Sequence, residues 1–189
     1  AGGDPYIGKR CAEDDEEDIR NKLSDGDIIF VIAGMGGGTG TGSAPVIAKY
    51  AKETDAVVVG VAILPFREEG LSRRKVALEG LAELKKNCDF VIELDNEKLN
   101  ELTDGDYPIQ KAFSVMSDLV SGIVQSLSEV VTEPSMINVD FADLKKIIEA
   151  GGTAKVLYGE SDGSDPGSVL DSVLGLSLIH ISEPTRLAI

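Results

Sequence analysis

Tryptophan is absent from this 189-residue chain, histidine occurs once, and cysteine occurs twice. Nucleophilic catalysis by a Ser-His-Asp or Cys-His arrangement would depend entirely on His180, near the C-terminus, which nearly excludes that class of enzyme. Cys11 and Cys88 have neither CxxC nor metal-ligand spacing. We therefore expect no cysteine-based metal site, and we expect a reducing, cytoplasmic compartment.

Long apolar runs and basic residues are also scarce. The longest apolar stretches, such as 28–33 and 56–64, are far shorter than the ~20 residues that span a bilayer, and the N-terminus lacks an apolar signal region. Lys and Arg number 18 against 33 Asp and Glu, which gives a net charge of -15. A surface of that sign repels phosphate backbones and anionic headgroups, so we expect no nucleic-acid partner and no direct membrane insertion.

Buried strands alternate with helices in the first half of the chain. The segments 27–34 (DIIFVIAG) and 56–64 (AVVVGVAIL) are apolar and rich in β-branched residues, which is typical of parallel strands buried on both faces. The helical pattern APVIAKYAKE separates them, and a second helical stretch, Ser72 to Lys86, precedes a third strand at 88–95. This alternation predicts an α/β fold with a doubly wound, mostly parallel sheet.

Two further helices are predicted from their patterns. The six consecutive acids from Glu13 to Asp18, followed by Ile19 and Leu23, indicate an acidic surface helix within residues 8 to 24. Later, apolar residues recur at three- and four-residue steps and predict a long helix at about 107–132, ~39 Å in length. Those apolar residues are Ile109, Phe113, Met116, Val120, Ile123, Leu127 and Val130.

Glycine accounts for 21 residues, and six of them lie between the first strand and its helix, from Gly34 to Gly42. Pro45 is expected in the first turn of that helix. A strand-loop-helix junction exposes unpaired N–H groups and the positive end of a helix dipole, so phosphate is the expected ligand, and a merely mobile turn is the less favoured alternative. No register gives GxGxxG, and no GxxxxGK[ST] motif is present, which disfavours dinucleotide dehydrogenases and P-loop NTPases.

The amino-acid sequence of this loop resembles that of a known family. GGGTGTG is the signature of the tubulin/FtsZ superfamily, and GMGGGTGTGSAPVIAK resembles the FtsZ family of prokaryotic cell-division GTPases more than tubulin. Four further motifs follow the family's order, and together they cover about residues 1 to 174. They are GGDPYIG at 2–8, PFREEG at 65–70, NEKL at 96–99 with Ala112-Phe113, and NVDFAD at 138–143.

The resemblance implies a nucleotide site for GTP or GDP, with Mg²⁺ bound through the phosphates. Residues Gly36, Gly37, Gly38, Thr39, Gly40 and Thr41 would cradle the phosphates, and Gly2 and Gly3 would approach the terminal phosphate. Glu69 and Arg73 would reach the ribose region, with Asn96 nearby. Phe113 would stack on guanine. The residue four positions later, which in the family is an Asp or Asn that reads guanine, is here Ser117, with Asp118 next, so either residue is left as the reader of the base.

Asp140 and Asp143 stand three apart at the start of a predicted helix. Spacing alone favours an N-cap with an acidic partner. The family resemblance implies instead a synergy loop, which projects into the nucleotide of the next subunit and orients the attacking water, with Asn138 holding the loop. Hydrolysis would then require a head-to-tail homopolymer.

The resemblance also divides the chain. Residues 1–134 would form a partial GTPase domain that includes the long helix, and residues 135–175 the synergy loop, a helix and the start of a C-terminal domain. The family's opening strands and first phosphate loop precede this sequence, so we expect the chain to be inactive alone. The segment 176–189 has no period that continues from the residues before it, and we interpret it as a non-native tail.

Three functions remain in competition. The first is a GTP-hydrolysing, filament-forming cell-division protein, cytoplasmic at the division site and tethered to the membrane by division proteins that bind parts absent here. The second is a nucleotide-binding scaffold without turnover, which Ser117 mildly favours and the acid pair Asp140 and Asp143 disfavours. The third, an NAD-dependent oxidoreductase, fails the GxGxxG test.

Overall fold

The computed structural model describes residues 2–97, 109–132 and 179–182. Their elements, in chain order, are α1 (Pro5–Asp14), α2 (Glu16–Leu23), β1 (Ile28–Gly34), α3 (Gly38–Ala51), β2 (Val57–Leu64), a 3₁₀ turn (Arg67–Glu69), α4 (Leu71–Asn87), β3 (Phe90–Asp95), α5 (Ile109–Thr132) and β4 (Ile179–Ser182). No helix in these ranges is long and apolar enough to cross a membrane.

The described strands form one sheet in the order β1-β2-β3-β4. β1 pairs with β2 and β2 with β3 in parallel, and the second pair ends where Leu64 meets Asp95. Because parallel neighbours need crossover connections, α3 and α4 each carry the chain back along the sheet. The three strands therefore bring their carboxyl ends to one edge.

Helices cover both faces of the sheet. Small residues of α3 and α4, such as Ala48 and Ala77, pack with Val58 and Val91 on one face. On the other face, apolar residues of α5 pack against Val61 and Ile92. The α5 residues that are buried there are Met116, Val120 and Ile123. The prediction of a doubly wound, mostly parallel α/β sheet is confirmed.

The two strands predicted to be buried on both faces differ. Every residue of β2 except Ile63 is buried, as expected for a strand between two neighbours. In β1 buried residues alternate with partly buried or exposed ones, and Ile32 is 46% exposed. Full burial of β1 was therefore a wrong prediction: the cluster on the α5 face takes in Ile28 and Phe30 only as partly buried members.

The predicted acidic helix is two helices that meet at Asp15. Asp4 caps α1 by accepting a hydrogen bond from the Tyr6 N–H at 2.9 Å. α2 is tied to α3 by Arg20, whose guanidinium donates to Glu53 at 2.6 Å and lies over the Tyr50 ring at 4.4 Å. The acidic run Glu13 to Asp18 spans the break between the helices.

The short strand β4 lies in the segment interpreted as a non-native tail. It pairs antiparallel with β3, with Glu93 opposite His180. The sequence pattern indicated no strand there, because a four-residue strand presents too few alternations to be recognised alone. The origin of the segment stays a prediction.

Candidate functional site

The glycine-rich connection between β1 and α3 is shorter than its sequence indicates. β1 ends at Gly34 and α3 begins at Gly38, so only residues 35–37 form the loop. Pro45 therefore lies eight residues into α3 and not in its first turn, which corrects the prediction. The glycine and threonine residues become helical because α1 and α4 pack closely on them: a Cβ built on Gly42 would lie 2.0 Å from Pro5 O.

Gly36 is the residue at which the loop turns. Its φ of 99°, in the left-handed region, favours glycine. A Cβ built there would also lie 2.9 Å from Arg73 O in the first turn of α4. The Gly36 N–H donates to Thr41 Oγ1 at 2.8 Å in a buried hydrogen bond. Thr41, predicted to cradle phosphate, therefore uses its hydroxyl to hold the loop.

The start of α3 has the features of an anion site. Gly37 caps the helix without a side-chain hydrogen bond, and no acidic residue occurs in the first turn. The N–H groups that open a helix have no partner within it, and the helix dipole makes this end positive. Gly38, Thr39 and Gly40 form this first turn, and the Thr39 side is exposed. Together with Gly37, these residues are four of the six positions, Gly36 to Thr41, that were predicted to cradle the phosphates.

A cavity of about 210 Å³ lies beside this loop, at the carboxyl edge of the sheet. It brings together residues that are far apart in sequence. Its walls are Gly34, Met35, Ile63, Pro65, Glu69, Asn96, Phe113, Met116 and Ser117. Four predicted nucleotide-binding residues therefore surround one space: Glu69, Asn96, Phe113 and Ser117.

Asn96 is the most buried of these four, at 2% exposure. Its Oδ1 has no hydrogen-bond partner among the described residues. Leaving a buried acceptor unpaired costs about 1–3 kcal/mol.

Glu69 is engaged within its own turn. Its Oε1 accepts from the Phe66 N–H at 3.0 Å, and its Oε2 accepts from Arg73 at 2.7 Å. Glu69 thus binds back to the start of its own turn and holds Arg73, whose side chain is 57% exposed. The predicted ribose contacts of both residues stay predictions.

Phe113 is 47% exposed and is the aromatic wall of the cavity. Its ring meets Phe66 edge to face, with centroids 5.5 Å apart at 86°. One turn later, Ser117 Oγ donates to Phe113 O at 2.9 Å. Ser117 lines the cavity whereas Asp118 does not, so Ser117 is the residue placed to meet a ligand.

The structure shows less about the remaining residues that were predicted to belong to the site. Gly2 and Gly3 have φ values of 56° and 86°, which form the turn before the Asp4 cap. Asn138, Asp140 and Asp143 lie outside the described residues. A larger groove of about 580 Å³ lies between α1, α3 and α4, and of the predicted site residues it includes only Thr41.

Sequence reasoning missed the charged pairs beside the cavity. Arg74 donates to both carboxylate oxygens of Asp95, at 3.2 and 2.7 Å, and Asp95 raises the pKa of Arg74. The Arg67 N–H donates to Glu97 at 3.0 Å. These partners are 21 and 30 residues apart. No periodic pattern connects them; the only signal was the pair of acids that flank Asn96.

Comparison with known proteins agrees with this geometry. The family model described as the GTPase domain of the Tubulin/FtsZ family matches residues 1–104. Cell division protein FtsZ of Methanothermobacter thermautotrophicus is 44% identical over 87% of this chain and 43% of its own length. Cell division protein FtsZ 2 of Methanocaldococcus jannaschii is 45% identical over 92% of this chain and 45% of its own length.

Solved structures show the same relationship. An empty FtsZ dimer from M. jannaschii matches with a TM-score of 0.86 and 40% identity, over 94% of this chain and 52% of that one. CetZ from Methanosaeta thermophila matches with a TM-score of 0.76 and 27% identity, over 94% and 51%. The chain spans about half the length of these relatives. With a family match over more than half of its residues, this chain belongs to the tubulin/FtsZ family, and residues 1–104 correspond to the family's GTPase domain.

Proposed function

We propose that this protein binds and hydrolyses GTP, assembles head to tail into filaments, and acts in cell division. The observation that carries the proposal is the proximity of an uncapped, glycine-rich helix start to a cavity with an aromatic wall and an unpartnered buried amide oxygen. The relatives are named cell division proteins, and one solved relative is a dimer.

In this proposal the two parts of the site bind the two parts of the nucleotide. The first turn of α3 receives the phosphates, since its free N–H groups and dipole favour negative charge. The cavity receives the base against Phe113, whose π face stacks on a purine. Asn96, in the cavity wall, contacts the base.

Mg²⁺ is proposed to enter with the nucleotide, bound by its phosphates. There it would neutralise the charge that develops during phosphoryl transfer to water. Among the described residues, no group of three or more His, Cys, Asp or Glu side chains could hold a metal ion. The proposal therefore assigns no metal ligand to the described part of the chain.

Hydrolysis is proposed to need the acids of a second subunit. α5 has 24 residues and is about 36 Å long, with Phe113 near its start. Asp140 and Asp143 come eight and eleven residues after its last residue in the sequence, and they would act on the nucleotide of a neighbouring subunit. Paired carboxylates can orient a water molecule and accept its proton. Asn138 would hold the loop that carries them.

The cellular part of the proposal follows from the same relatives. The protein would act in the cytoplasm at the division site, and membrane-tethering division proteins would bind other parts of the filament subunit. A non-catalytic, nucleotide-binding scaffold is the second candidate, favoured by Ser117 where the family resemblance implies Asp or Asn.

The test uses the chain joined to the flanking parts of the M. jannaschii FtsZ 2 relative, so that both halves of the site are present. Asp140→Ala should abolish GTP hydrolysis and leave GTP binding nearly unchanged, because the acid acts on water in the transition state. Asp18→Ala, at an exposed acid of α2, is the matched control.

Mixing experiments separate the two candidates. Wild-type activity per subunit should rise with protein concentration, and added Asp140→Ala subunits should lower it more than Asp18→Ala subunits do. Activity that is independent of concentration would contradict hydrolysis at the interface. Nucleotide binding without turnover in the wild type would favour the scaffold.

A further inference from the structure

Two arginine–carboxylate pairs tie the loop after β2 to the residues after β3. β2 and β3 end together where Leu64 meets Asp95. Immediately beyond, Arg74 binds Asp95 through two nitrogens, and it also donates to Pro65 O at 3.2 Å. Two-point contacts of this kind between a guanidinium and a carboxylate restrict orientation as well as distance.

The second pair joins Arg67 and Glu97. Glu97 Oε2 accepts from the Arg67 backbone N–H at 3.0 Å, and its Oε1 lies 3.3 Å from Arg67 Nε. The Glu97 side chain is 12% exposed, whereas that of Arg67 is 69% exposed. Glu97 also donates its own N–H to Asp95 Oδ1 at 3.1 Å, which links the two pairs into one network.

The network encloses Asn96, the cavity residue with the unpartnered oxygen. Asn96 lies between the two acids in sequence, so its backbone is held on both sides. The turn held by Glu97 also carries Phe66, which contacts Phe113, and Glu69, which lines the cavity. Glu97, which lies outside the cavity, therefore holds the turn that carries Phe66 and Glu69 and lies next to Asn96 in the sequence.

We propose that Glu97 is a positioning residue of this cavity: by binding Arg67 it fixes the side chain of Asn96 in the cavity wall, where a nucleobase would contact it. The contact with a nucleobase rests on the proposed function, whereas the fixed orientation of Asn96 does not. A preorganised side chain costs the ligand little ordering on binding. Glu97 and Arg67 do not line the cavity themselves.

The variants are chosen so that general loss of stability is controlled. Glu97→Gln keeps the size of the side chain and removes its charge, and Arg67→Gln removes the guanidinium at an exposed position outside the cavity wall while keeping the backbone N–H. Glu93→Gln is the matched control, because Glu93, on β3, is also a mostly buried acid in an ion pair: it pairs with Lys85 at 2.7 Å and is 18% exposed. Glu93 is not part of the cavity wall.

The first measurement is the side-chain amide of Asn96 in the 189-residue chain, observed by ¹⁵N NMR and assigned with Asn96→Asp. Its hydrogen exchange should be slow in the wild type and in Glu93→Gln. It should be at least about tenfold faster in Glu97→Gln and in Arg67→Gln, and the double variant should resemble each single one, since both remove the same ion pair. Equal exchange in all variants, or equal acceleration in the Glu93→Gln control, would overturn the proposal.

The second measurement is a titration with GDP to millimolar concentration, followed by NMR shifts, of the chain joined to the flanking parts of the M. jannaschii FtsZ 2 relative. Glu97→Gln and Arg67→Gln should raise the GDP Kd about tenfold, and Glu93→Gln less than twofold, at comparable loss of thermal stability. Joined wild-type protein that shows no shift with GDP would count against nucleotide binding, while the amide exchange still decides the role of Glu97. GDP binding with unaltered Kd in all variants would reject that role.

Discussion

The backbone N–H of Gly36 donates a buried hydrogen bond to Thr41 Oγ1 across 2.8 Å, and this bond joins the glycine-rich loop to the helix that follows it. It gives the Thr41 hydroxyl a structural partner, while the N–H groups that open the helix have no partner within it. The buried Thr41 side chain therefore holds the loop against the start of α3.

We expect Thr41→Val to lower the stability of the chain because it removes this hydrogen bond. Valine keeps the shape of threonine but leaves the Gly36 N–H buried without an acceptor, at a cost of about 1–3 kcal/mol in the free energy of unfolding. Thr41→Ser keeps the acceptor. Amide exchange at Gly36, with urea unfolding of the 189-residue chain, measures the difference; faster exchange in Thr41→Ser than in Thr41→Val would contradict the prediction.

The glycines of this segment should divide into those needed for packing and those that leave space. Gly42→Ala places a methyl 2.0 Å from Pro5 O and 2.7 Å from Lys9 N, so α1 must move, at about 1–3 kcal/mol. Gly37→Ala meets no atom within 4 Å and should change stability by less than about 0.5 kcal/mol. Thermal unfolding followed by circular dichroism compares them, and equal melting temperatures would show that α1 does not pack on Gly42.

Ser117→Asp should sharpen base selectivity in the chain joined to its relative's flanking parts. A carboxylate at a residue that lines the cavity can accept two guanine N–H groups, an advantage of roughly 1–3 kcal/mol for GTP over ATP by analogy with base readout in nucleic acids. Asp118→Asn, beside the cavity wall but not in it, is the control and should change little. Competition binding of GTP and ATP measures the preference; an unchanged ratio in Ser117→Asp would mean that another group reads the base.

The two cysteines should differ in reactivity toward a thiol reagent. Cys11 is exposed and should label rapidly, whereas Cys88 is buried and should label only on unfolding. Burial raises the pKa of Cys88 from its ordinary value of 9.0 to about 12, so its thiol stays protonated in the folded chain at pH 10. The stability associated with the neutral thiol is complete below pH 9 and is lost as the pH rises through 12. Mass spectrometry after labelling at pH 8 and 10 tests this; rapid modification of Cys88 at either pH would be the contrary result.

Local patterns predicted most of the secondary structure. β1, β2, β3, α4 and α5 lie within two residues of their predicted bounds, because apolar runs and three- to four-residue spacing reflect burial that each segment needs for itself. The glycine-rich wording also predicted a phosphate site. The patterns were wrong about residues 38–43. Their glycine and threonine residues predicted a loop, yet they are helical, and α1 and α4 pack against them.

The amino-acid sequence by itself determined the family, the order of strands and helices, and the residue types available to a nucleotide, since these are written in contiguous motifs. Only the tertiary structure decided that Asn96 is buried with a free oxygen, that Ser117 and not Asp118 faces the cavity, and that Glu97 holds Arg67 from 30 residues away. These properties depend on contacts between the ends of separate strands, and parallel strands bring such ends together only after the crossover helices have packed.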